Sequence, residues 1–491
     1  PATHIAIAGI EKIIHNYKDL AVFIELLAAS GTGQSLTSYT NIITPPLQLP
    51  LLNLNGREDT HREFHLVLID NGRMTMRADP VFHEALYCIR CSACMNVCAN
   101  FQIVGGHAFG GECYTGGIGG AWTAGTTGDV KNARFADLCT GCSRCIPNCP
   151  VQINIPGLNT EIKSRIIKEE GGANFQKQFF GNFSKMAKLA STLPGLANKA
   201  SEFSLSRKMM EKIIGFDSNR SVPKFSEKTL EKAYKEYRNN NAANSNSEIK
   251  AILFPDVFTN YNNANVGMAL IRTFDKLGID ISLSKSLDDG RALLSQGMID
   301  EAKEKSDELV PYLLSLINSG RDIIISEPSV LSMVTFEYKK FIIEEKIYSL
   351  LKKHCYDPIE YLNIQIEKNK IDLSKFLKIQ KDVDIFYHGH CQLKSIGLGN
   401  EVSKFFNSLN IKIKESTAEC CGMAGSFGYK KDYYDLSKKV GEYLGNEIIE
   451  SDFLEDNKII LASGTSCREQ ISDEIKKEAI HPIEFLEKFL S

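Results

Sequence analysis

The sequence predicts a multidomain protein of mixed α/β and α+β class, with a small helical, cysteine-rich domain and two α/β halves related by pseudo-symmetry. Three observations lead to this prediction. The chain has 491 residues, which is more than one domain usually holds. Fourteen cysteines include two dense runs between residues 88 and 149. From residue 248 onwards, strand and helix patterns alternate through two successive units, as in α/β proteins.

The composition excludes several classes of protein. Hydrophobic residues make up 43% and charged residues 24%, as in chains that bury substantial cores. A formal net charge of −3 gives no general attraction for nucleic acid, so no nucleic-acid partner is expected. Thiols in metal-binding spacing need a reducing compartment, which predicts a cytoplasmic protein. Because no apolar run reaches about 18 residues, no transmembrane segment is expected, and membrane association at the cytoplasmic face would be peripheral.

The N-terminal part predicts regular structure but no chemistry. Residues 3–9 have the pattern of a strand, residues 10–29 that of an apolar helix, and residues 63–73 that of a buried strand ending in an Asn-Gly turn. One strand and one helix cannot bury both of their faces. We therefore expect lost sequence upstream of Pro1, with processing as the alternative explanation for the missing methionine.

The two cysteine runs share the spacing C-x2-C-x2-C-x3-C. In this spacing the first three thiolates hold one [4Fe–4S] cluster, and the fourth binds the other cluster. Pro150 favours this exchange because a proline turns the chain away after the last cysteine, whereas the first run has Ala99 there. The predicted ligand sets are Cys88, Cys91, Cys94 and Cys149 for one cluster, and Cys139, Cys142, Cys145 and Cys98 for the other.

Paired zinc knuckles are the alternative interpretation of these runs. Zinc sites use two separated C-x2-C pairs, so the third and fourth thiol of each run would have no role. The spacing therefore favours iron–sulfur clusters.

Flanking phrases extend this interpretation by resemblance. HIAIAGIEKI, LTSYTNIIT, EFHLVLIDNGR and ALYCIRCSACMNVCANFQIVGGHA resemble the family of lactate-utilisation iron–sulfur proteins of the B type, over residues 3 to about 160. In that family an α/β LUD domain precedes a two-cluster ferredoxin domain. The resemblance implies that only the last part of a LUD domain is present here.

Between the cysteine runs, residues 105–120 hold so many glycines that they predict an irregular segment packed against the clusters. His107 and Cys113 within it are candidate redox or substrate groups, with a structural role as the alternative. Further on, lysines and arginines lie among apolar residues between positions 180 and 224. Such helices would lie on an anionic bilayer or a partner, or else expose solvated faces. Residues 239–247 are rich in Asn and Ser and predict a linker.

The last α/β unit carries four cysteines at the ends of predicted strands or in the loops that follow them. Such loops converge at one edge of a parallel sheet. Adjacent cysteines suit a polynuclear cluster better than a single ion. We predict a third iron–sulfur cluster, with a metal-free redox or structural thiol group as the alternative. Its ligands would be Cys391, Cys420, Cys421 and Cys467.

The motifs HGHC, CCGMAGSFGY and GTSCREQI resemble the cysteine-rich CCG domain of heterodisulfide reductase. They also resemble the C-terminal part of flavin-dependent D-lactate and glycolate oxidases with fused iron–sulfur domains. In the full motif the last cysteine is paired as C-x2-C, whereas this chain has Gln470 at the partner position. The departure argues against a cluster held by five thiolates.

The preceding α/β unit resembles a copy that has lost the motif. Asp288-Asp289-Gly290-Arg291 stands where relatives have Cys-Cys-Gly-Arg, and Val330 replaces a cysteine. This copy is expected to hold no cluster. Asp289, Arg291 and Glu327 would form a polar wall between the halves, or would only cap helices and pair charges.

These features divide the chain into five predicted parts. They are residues 1–75, a C-terminal remnant of a LUD domain; residues 76–170, the two-[4Fe–4S] ferredoxin domain; residues 171–247, a basic helical segment and linker; residues 248–381, a degenerate CCG-type half (the first half); and residues 382–491, an intact CCG-type half (the second half).

The modules together predict an iron–sulfur oxidoreductase or electron-transfer subunit. Clusters pass electrons singly between a two-electron donor and a pool or carrier. No G-x-G-x-x-G follows a suitable strand, so a flavin is expected only if a partner subunit supplies it. The resemblance implies lactate or a similar 2-hydroxy acid as electron source, and a quinone or electron-carrier protein as acceptor. The expected partners are other subunits of a lactate-oxidising complex.

Two alternatives remain at this stage. One is an iron–sulfur subunit like those of heterodisulfide reductase or anaerobic glycerol-3-phosphate dehydrogenase. The other, of a different class, is a non-redox protein with structural clusters, as in some nucleic-acid enzymes. The lack of a basic, aromatic groove argues against the second alternative.

Overall fold

The computed structural model describes residues 3–35, 41, 43, 63–111, 114–373, 383–455 and 457–490. Helices and several short parallel sheets make up these residues, which confirms the predicted mixed α/β and α+β class. Cys113 lies outside the described residues, as does most of the segment between the first two strands.

The N-terminal part is a two-stranded parallel sheet with one helix. Strands β1 (Thr3–Gly9) and β2 (Glu63–Ile69) pair along their full length, and helix α1 spans Tyr17–Thr32. The helix begins later than predicted because the Asn16 side chain caps it, accepting from the backbone N–H groups of Lys18 and Asp19. The predicted burial of the second strand is wrong, since Leu66 and its neighbours in β2 are exposed.

Short helices around one core form the cysteine-rich domain. This core cluster includes Met76, Phe82, Ile118, Ile162 and Trp122, the single tryptophan of the chain. The helices are α2 (Arg73–Ala78), α3 (Ala93–Asn96), α4 (Ala99–Ala108), α5 (Gly116–Thr127), α6 (Cys145–Asn148) and α7 (Ile155–Glu169).

The glycine-rich segment between the cysteine runs is more regular than predicted. Helix α4 continues to Ala108 across a kink at Gly105, and α5 begins at Gly116. The glycines of α5 allow this helix to pack closely on α7, and they do not make the segment irregular. A Cβ atom at Gly120 would lie 2.7 Å from Oδ1 of Asn159 on α7. The predicted absence of helix is therefore wrong, because tertiary packing of α5 on α7 overrides low helix propensity.

Five helices follow the cysteine-rich domain. They are α8 (Phe175–Gly181), α9 (Phe183–Ala190), α10 (Pro194–Glu202), α11 (Ser204–Ile214) and α12 (Leu230–Asn240). The predicted linker after them is held in place, since the Asn244 amide donates to the carbonyl oxygens of Asp275 and Ile279.

The first half contains a four-stranded parallel sheet in the order β4-β3-β5-β6. Its strands are β3 (Lys250–Leu253), β4 (Asp280–Leu283), β5 (Asp322–Ile324) and β6 (Cys355–Tyr356). Its helices are α13 (Val257–Tyr261), α14 (Ala264–Lys276), α15 (Arg291–Ser295), α16 (Ile299–Asn318), α17 (Pro328–Thr335), α18 (Glu345–His354) and α19 (Pro358–Glu367).

The second half repeats this topology with a parallel sheet in the order β8-β7-β9. In both halves the first strand is central, with the second on one side and the third on the other. The strands are β7 (Ile385–His388), β8 (Ile413–Glu415) and β9 (Ile459–Ala462). The helices are α20 (Cys391–Ser395), α21 (Glu401–Ser408), α22 (Tyr434–Glu450), α23 (Thr465–Ile475) and α24 (Pro482–Phe489).

The two halves share one hydrophobic core. Helix α14 packs against α24, and the core cluster around them joins Phe274 and Leu270 of the first half to Phe406 and Phe485 of the second. Shared burial of this kind fixes the two sheets relative to each other. The domain boundaries themselves stay a prediction.

The contact between α5 and α7 gives a test of this packing. Gly120→Ala should lower the thermal-unfolding midpoint, because the added methyl group displaces Asn159 at a cost of about 1–3 kcal/mol. Gly195→Ala on α10 is the matched control, since its Cβ would meet open space and alanine favours the helix by up to about 1 kcal/mol. Equal midpoints for the two variants would contradict the tight contact.

Candidate functional site

The two cysteine runs of the ferredoxin-like domain adopt the same local backbone. Arg90 and Ser92 have left-handed φ values of 59° and 65°, and Gly141 and Ser143, at equivalent positions, have values of 69° and 61°. Each run thereby aims a backbone N–H at its first sulfur, and Arg90 N lies 3.4 Å from the Cys88 sulfur. Successive amides turned inward in this way make concave sites for negative charge, which suits thiolates around iron.

The first thiol group comprises Cys88, Cys91, Cys94 and Cys149. These four residues line one cavity, together with Tyr114 and Ile155. Three of the cysteines come from the first run and one from the second. The structure therefore brings together the four residues predicted for one cluster, although their ligation stays a prediction.

The second thiol group comprises Cys98, Cys139, Cys142 and Cys145. Burial, and then the neighbouring Cys142 and Cys139, raise the pKa of Cys98 to about 12. The fourth cysteine of the first run thus lies among the first three of the second run. This is the crossed arrangement that the spacing predicted, and its role in ligation stays a prediction.

The third thiol group comprises Cys391, Cys420, Cys421 and Cys467. Cys391 begins α20 after strand β7, the Cys420–Cys421 pair follows β8, and Cys467 lies in α23 after β9. Successive sulfur contacts join Cys391 to Cys420, Cys420 to Cys421, and Cys421 to Cys467. The ends of three parallel strands therefore bring these thiols to one place, although whether they bind a cluster stays a prediction.

The donor chemistry of all three groups fits an iron–sulfur centre. Burial and neighbouring negative charge oppose the ionisation of most of these thiols when no cation is bound. Burial, for example, raises the pKa of Cys94 to about 12, with the nearby Cys88 adding to the effect. Only a bound cation offsets that cost and makes each sulfur a thiolate ligand.

The second and third thiol groups lie side by side. Burial, and next the adjacent Cys391, raise the pKa of Cys142 to about 12. The Gly141 carbonyl oxygen accepts from the Gln392 side chain at 3.4 Å, and Arg144 Nε pairs with Glu419 Oε2 at 2.6 Å. Each contact joins a residue between the second-group cysteines to a residue next to a third-group cysteine.

The first half contributes polar residues to this junction. Arg291 donates to the Gly141 carbonyl oxygen at 3.1 Å and pairs with Glu337. Glu327 Oε2 accepts from Thr465 N and Thr465 Oγ1 in the second half, at 3.0 and 2.8 Å. Glu327 thus contacts the second half, as a polar wall between the halves would, whereas Arg291 contacts the ferredoxin-like domain and pairs its charge with Glu337 of its own half.

Asp289 acts differently, as the alternative interpretation expected. Its Oδ1 atom accepts from Arg291 N at 2.7 Å, at the start of α15. Burial, and next Asp288, raise the pKa of Asp289 to about 7. Val330 is buried in the hydrophobic core of the first half.

Gln470 has a structural role. Its side chain is buried, and its Oε1 atom accepts from Arg220 Nη1 at 3.0 Å. Arg220 is also fully buried and donates to the Gly428 carbonyl oxygen and to Ser437 Oγ. This network ties the chain before α12 to the loop that follows Cys421.

One residue near the third thiol group was not predicted from the sequence. A ring nitrogen of His388 and the sulfurs of Cys421 and Cys467 all lie within 4.8 Å of one another. His388 is the last residue of β7, and the motif HGHC was the signal that could have identified it. By contrast, His107 is exposed at the end of α4, away from these thiols.

The N-terminal third of the chain matches the models of two known domain families. Residues 84–153 match the family model for a 4Fe-4S dicluster domain, and residues 1–69 match that for a LUD domain. The first match shows that this region is an iron–sulfur domain of the ferredoxin type. Within the described residues, no helix is both long and apolar enough to cross a bilayer.

Curated relatives share only part of the chain. Lactate utilization protein B of Anoxybacillus flavithermus is 34% identical over 201 residues, which is 40% of this chain and 40% of that protein. The protein of the same name from Bacillus subtilis is 38% identical over 176 residues, or 35% of this chain and 34% of that protein. The chain thus spans at most about two fifths of the length of these relatives. Their similarity to this chain supports an iron–sulfur redox protein.

The crossed arrangement can be tested with serine variants of the full chain. Cys149→Ser should reproduce the electron paramagnetic resonance (EPR) change caused by Cys91→Ser, and Cys98→Ser that caused by Cys142→Ser, because each pair belongs to one thiol group. The matched control is Cys355→Ser, which removes a buried thiol in β6 and should leave every signal unchanged. If Cys149→Ser instead resembles Cys142→Ser, the exchange of fourth ligands is wrong.

Proposed function

We propose that this chain is an iron–sulfur electron-transfer protein that relays electrons from the oxidation of lactate, or a similar 2-hydroxy acid, to a quinone or an electron-carrier protein. The observation that carries the proposal is the contact between the second and third thiol groups. Gly141 and Arg144, from the loops between second-group cysteines, contact Gln392 and Glu419 beside the third group. Adjacent redox sites are what an electron relay requires.

Each thiol group would hold one iron–sulfur cluster, which supplies one-electron transfer. Burial is the largest cause that raises the pKa of Cys145, followed by the other cysteines of the second group and then by Cys94 of the first group. The first group therefore lies beside the second. The second lies beside the third. Within the part of the chain that the structure describes, the three thiol groups therefore follow one another in the order first, second, third. A third cluster also accords with the resemblance of residues 382–491 to an intact CCG-type half and of residues 248–381 to a degenerate one.

A buried cation lies next to the second thiol group. Lys163 is buried and donates to the Cys139 carbonyl oxygen at 2.8 Å. Burial raises the pKa of Cys139, whereas Lys163 acts in the opposite direction, and the paired charges of Glu337 and Arg291 oppose each other. The positive charge of Lys163 would therefore raise the reduction potential of the second group's cluster.

The donor side of the proposal rests on the N-terminal matches. A segment that matches a LUD domain is followed by a segment that matches a dicluster domain. The chain is also similar, over part of its length, to proteins named for lactate utilization. This combination favours a lactate-oxidising complex over subunits like those of heterodisulfide reductase or glycerol-3-phosphate dehydrogenase. Hydride removal would belong to another subunit of that complex, with a flavin as its cofactor.

The acceptor side of the proposal rests on helices α9 to α11. They expose many large apolar side chains next to lysines, which is typical of a helix set lying on an anionic bilayer. We therefore propose peripheral association with the cytoplasmic face of a membrane, where a quinone would be reached. The exposed apolar residues are Leu189, Leu193, Leu196, Phe203, Leu205, Met209 and Ile213, and the lysines are Lys185, Lys188, Lys199, Lys208 and Lys212.

The relay can be tested at the contact between the second and third thiol groups. Arg144→Gln removes the pair with Glu419, so electrons from reduced ferredoxin-type clusters should reach the third group more slowly, with iron content unchanged. The arrival is measured by freeze-quench EPR after anaerobic reduction. Arg134→Gln is the matched control, because it removes a pair with Glu170 at the C-terminal end of α7 and leaves the pair of Arg144 with Glu419 in place. An unchanged rate in Arg144→Gln would contradict the proposed route.

Membrane association can be tested by co-sedimentation with vesicles. Binding to phosphatidylglycerol vesicles should exceed binding to phosphatidylcholine vesicles and should fall with added salt, because lysines contribute to it. The double substitution Leu189→Asp and Leu205→Asp should abolish binding. Ile343→Asp is the control, since Ile343 is a fully exposed apolar residue outside these helices. Vesicle binding that survives the double substitution would exclude this surface.

A further inference from the structure

His388 has one ring nitrogen engaged and one without a hydrogen-bond partner. The residue is fully buried at the carboxyl end of β7. Its Nδ1 atom lies 3.4 Å from Ser416 Oγ, whereas Nε2 meets no donor or acceptor among the described residues. A buried polar atom without a partner is costly, and a ring nitrogen of this histidine lies within 4.8 Å of the sulfurs of Cys421 and Cys467.

The hydrogen bonds around Ser416 determine which nitrogen carries the proton. The single hydroxyl proton of Ser416 goes to Glu447 Oε2 at 2.6 Å, and Ser416 Oγ accepts from Ala418 N. Towards His388, Ser416 can therefore only offer a lone pair, so Nδ1–H donates to it. Nε2 is left with the lone pair that a metal ligand needs. A carboxylate, a hydroxyl and an imidazole in series are the kind of support that metal-binding histidines receive.

The neighbouring histidine shows what a purely structural role looks like here. His390 Nδ1 accepts from Gln392 N at 3.2 Å and so caps α20. Its ring packs on Gly464, where an added Cβ would lie 2.2 Å from its Cδ2 atom. His390 thus has a defined task in packing and capping, unlike Nε2 of His388.

We propose that Nε2 of His388 is the fifth protein ligand of the iron–sulfur cluster held by the third thiol group. The inference rests on the proposed function in one respect, the presence of that cluster. Gln470 stands where the resembling motif has its last cysteine, and its side chain is bound to Arg220 and is not available to iron. A histidine ligand would take the place of that cysteine. Because a neutral imidazole replaces an anionic thiolate, the cluster carries one negative charge less and its reduction potential is higher.

The experiment uses the full chain, purified anaerobically, with ¹⁵N only in histidine. Electron–nuclear double resonance should detect a strongly coupled histidine nitrogen on the signal that Cys420→Ser abolishes. His388→Gln should remove the nitrogen coupling. His390→Asn should retain it, because asparagine also caps helices. His388→Cys should keep the cluster and lower its reduction potential, since it restores a thiolate.

The outcomes separate this inference from the proposed third cluster. If wild type has the signal that depends on Cys420 but shows no histidine coupling, or if the coupling persists in His388→Gln, the inference is wrong and the third cluster stands. If wild type and Cys420→Ser contain the same iron and sulfide, or if zinc occupies the site, the third cluster itself is wrong. An unchanged potential in His388→Cys also contradicts the inference.

Discussion

The close packing of cysteine sulfurs is the constraint on which the rest of the structure depends. Three groups of four thiols are held in largely buried surroundings, where ionised sulfurs repel one another and lack water. Such an arrangement is stable as thiolates only around metal charge. The left-handed residues in both runs, the exchange of Cys98 and Cys149, and the convergence of three strand ends all serve this packing.

Polar contacts join the ferredoxin-like domain to the C-terminal halves, in addition to the packing of Ile167 in the hydrophobic core of the first half. Gly141 accepts hydrogen bonds from both halves, through Arg291 and Gln392, and the nearby Lys163 donates to the Cys139 carbonyl oxygen. Apolar contacts alone would leave the orientation of this loop poorly fixed. Directional hydrogen bonds fix it, and the positive charge of Lys163 would lower the cost of adding an electron nearby.

The two halves show how one topology serves two roles. In the second half, the loops after β7, β8 and β9 carry thiols. In the first half, the corresponding loops carry Asp289, Arg291 and Glu327, which cap a helix, hold Gly141 and bind Thr465. Carboxylates are harder ligands than thiolates and do not replace them in an iron–sulfur site without loss, but these side chains can hold a neighbouring site in place. The contacts of the first half therefore give it a supporting role.

The sequence by itself determined the local features: the alternating strands and helices of the halves, the spacing of the cysteine runs and the position of the third-group thiols after strands. Local patterns suffice there because periodicity and ligand spacing act over a few residues. Only the tertiary structure decided that α5 is a helix, since the free energy of packing on α7 offsets the low helix propensity of its glycines. It also decided that Gln470 meets Arg220, 250 residues away in sequence, and that His388 faces Cys421 and Cys467. Such contacts join residues far apart in the chain, and no pattern within one segment encodes them.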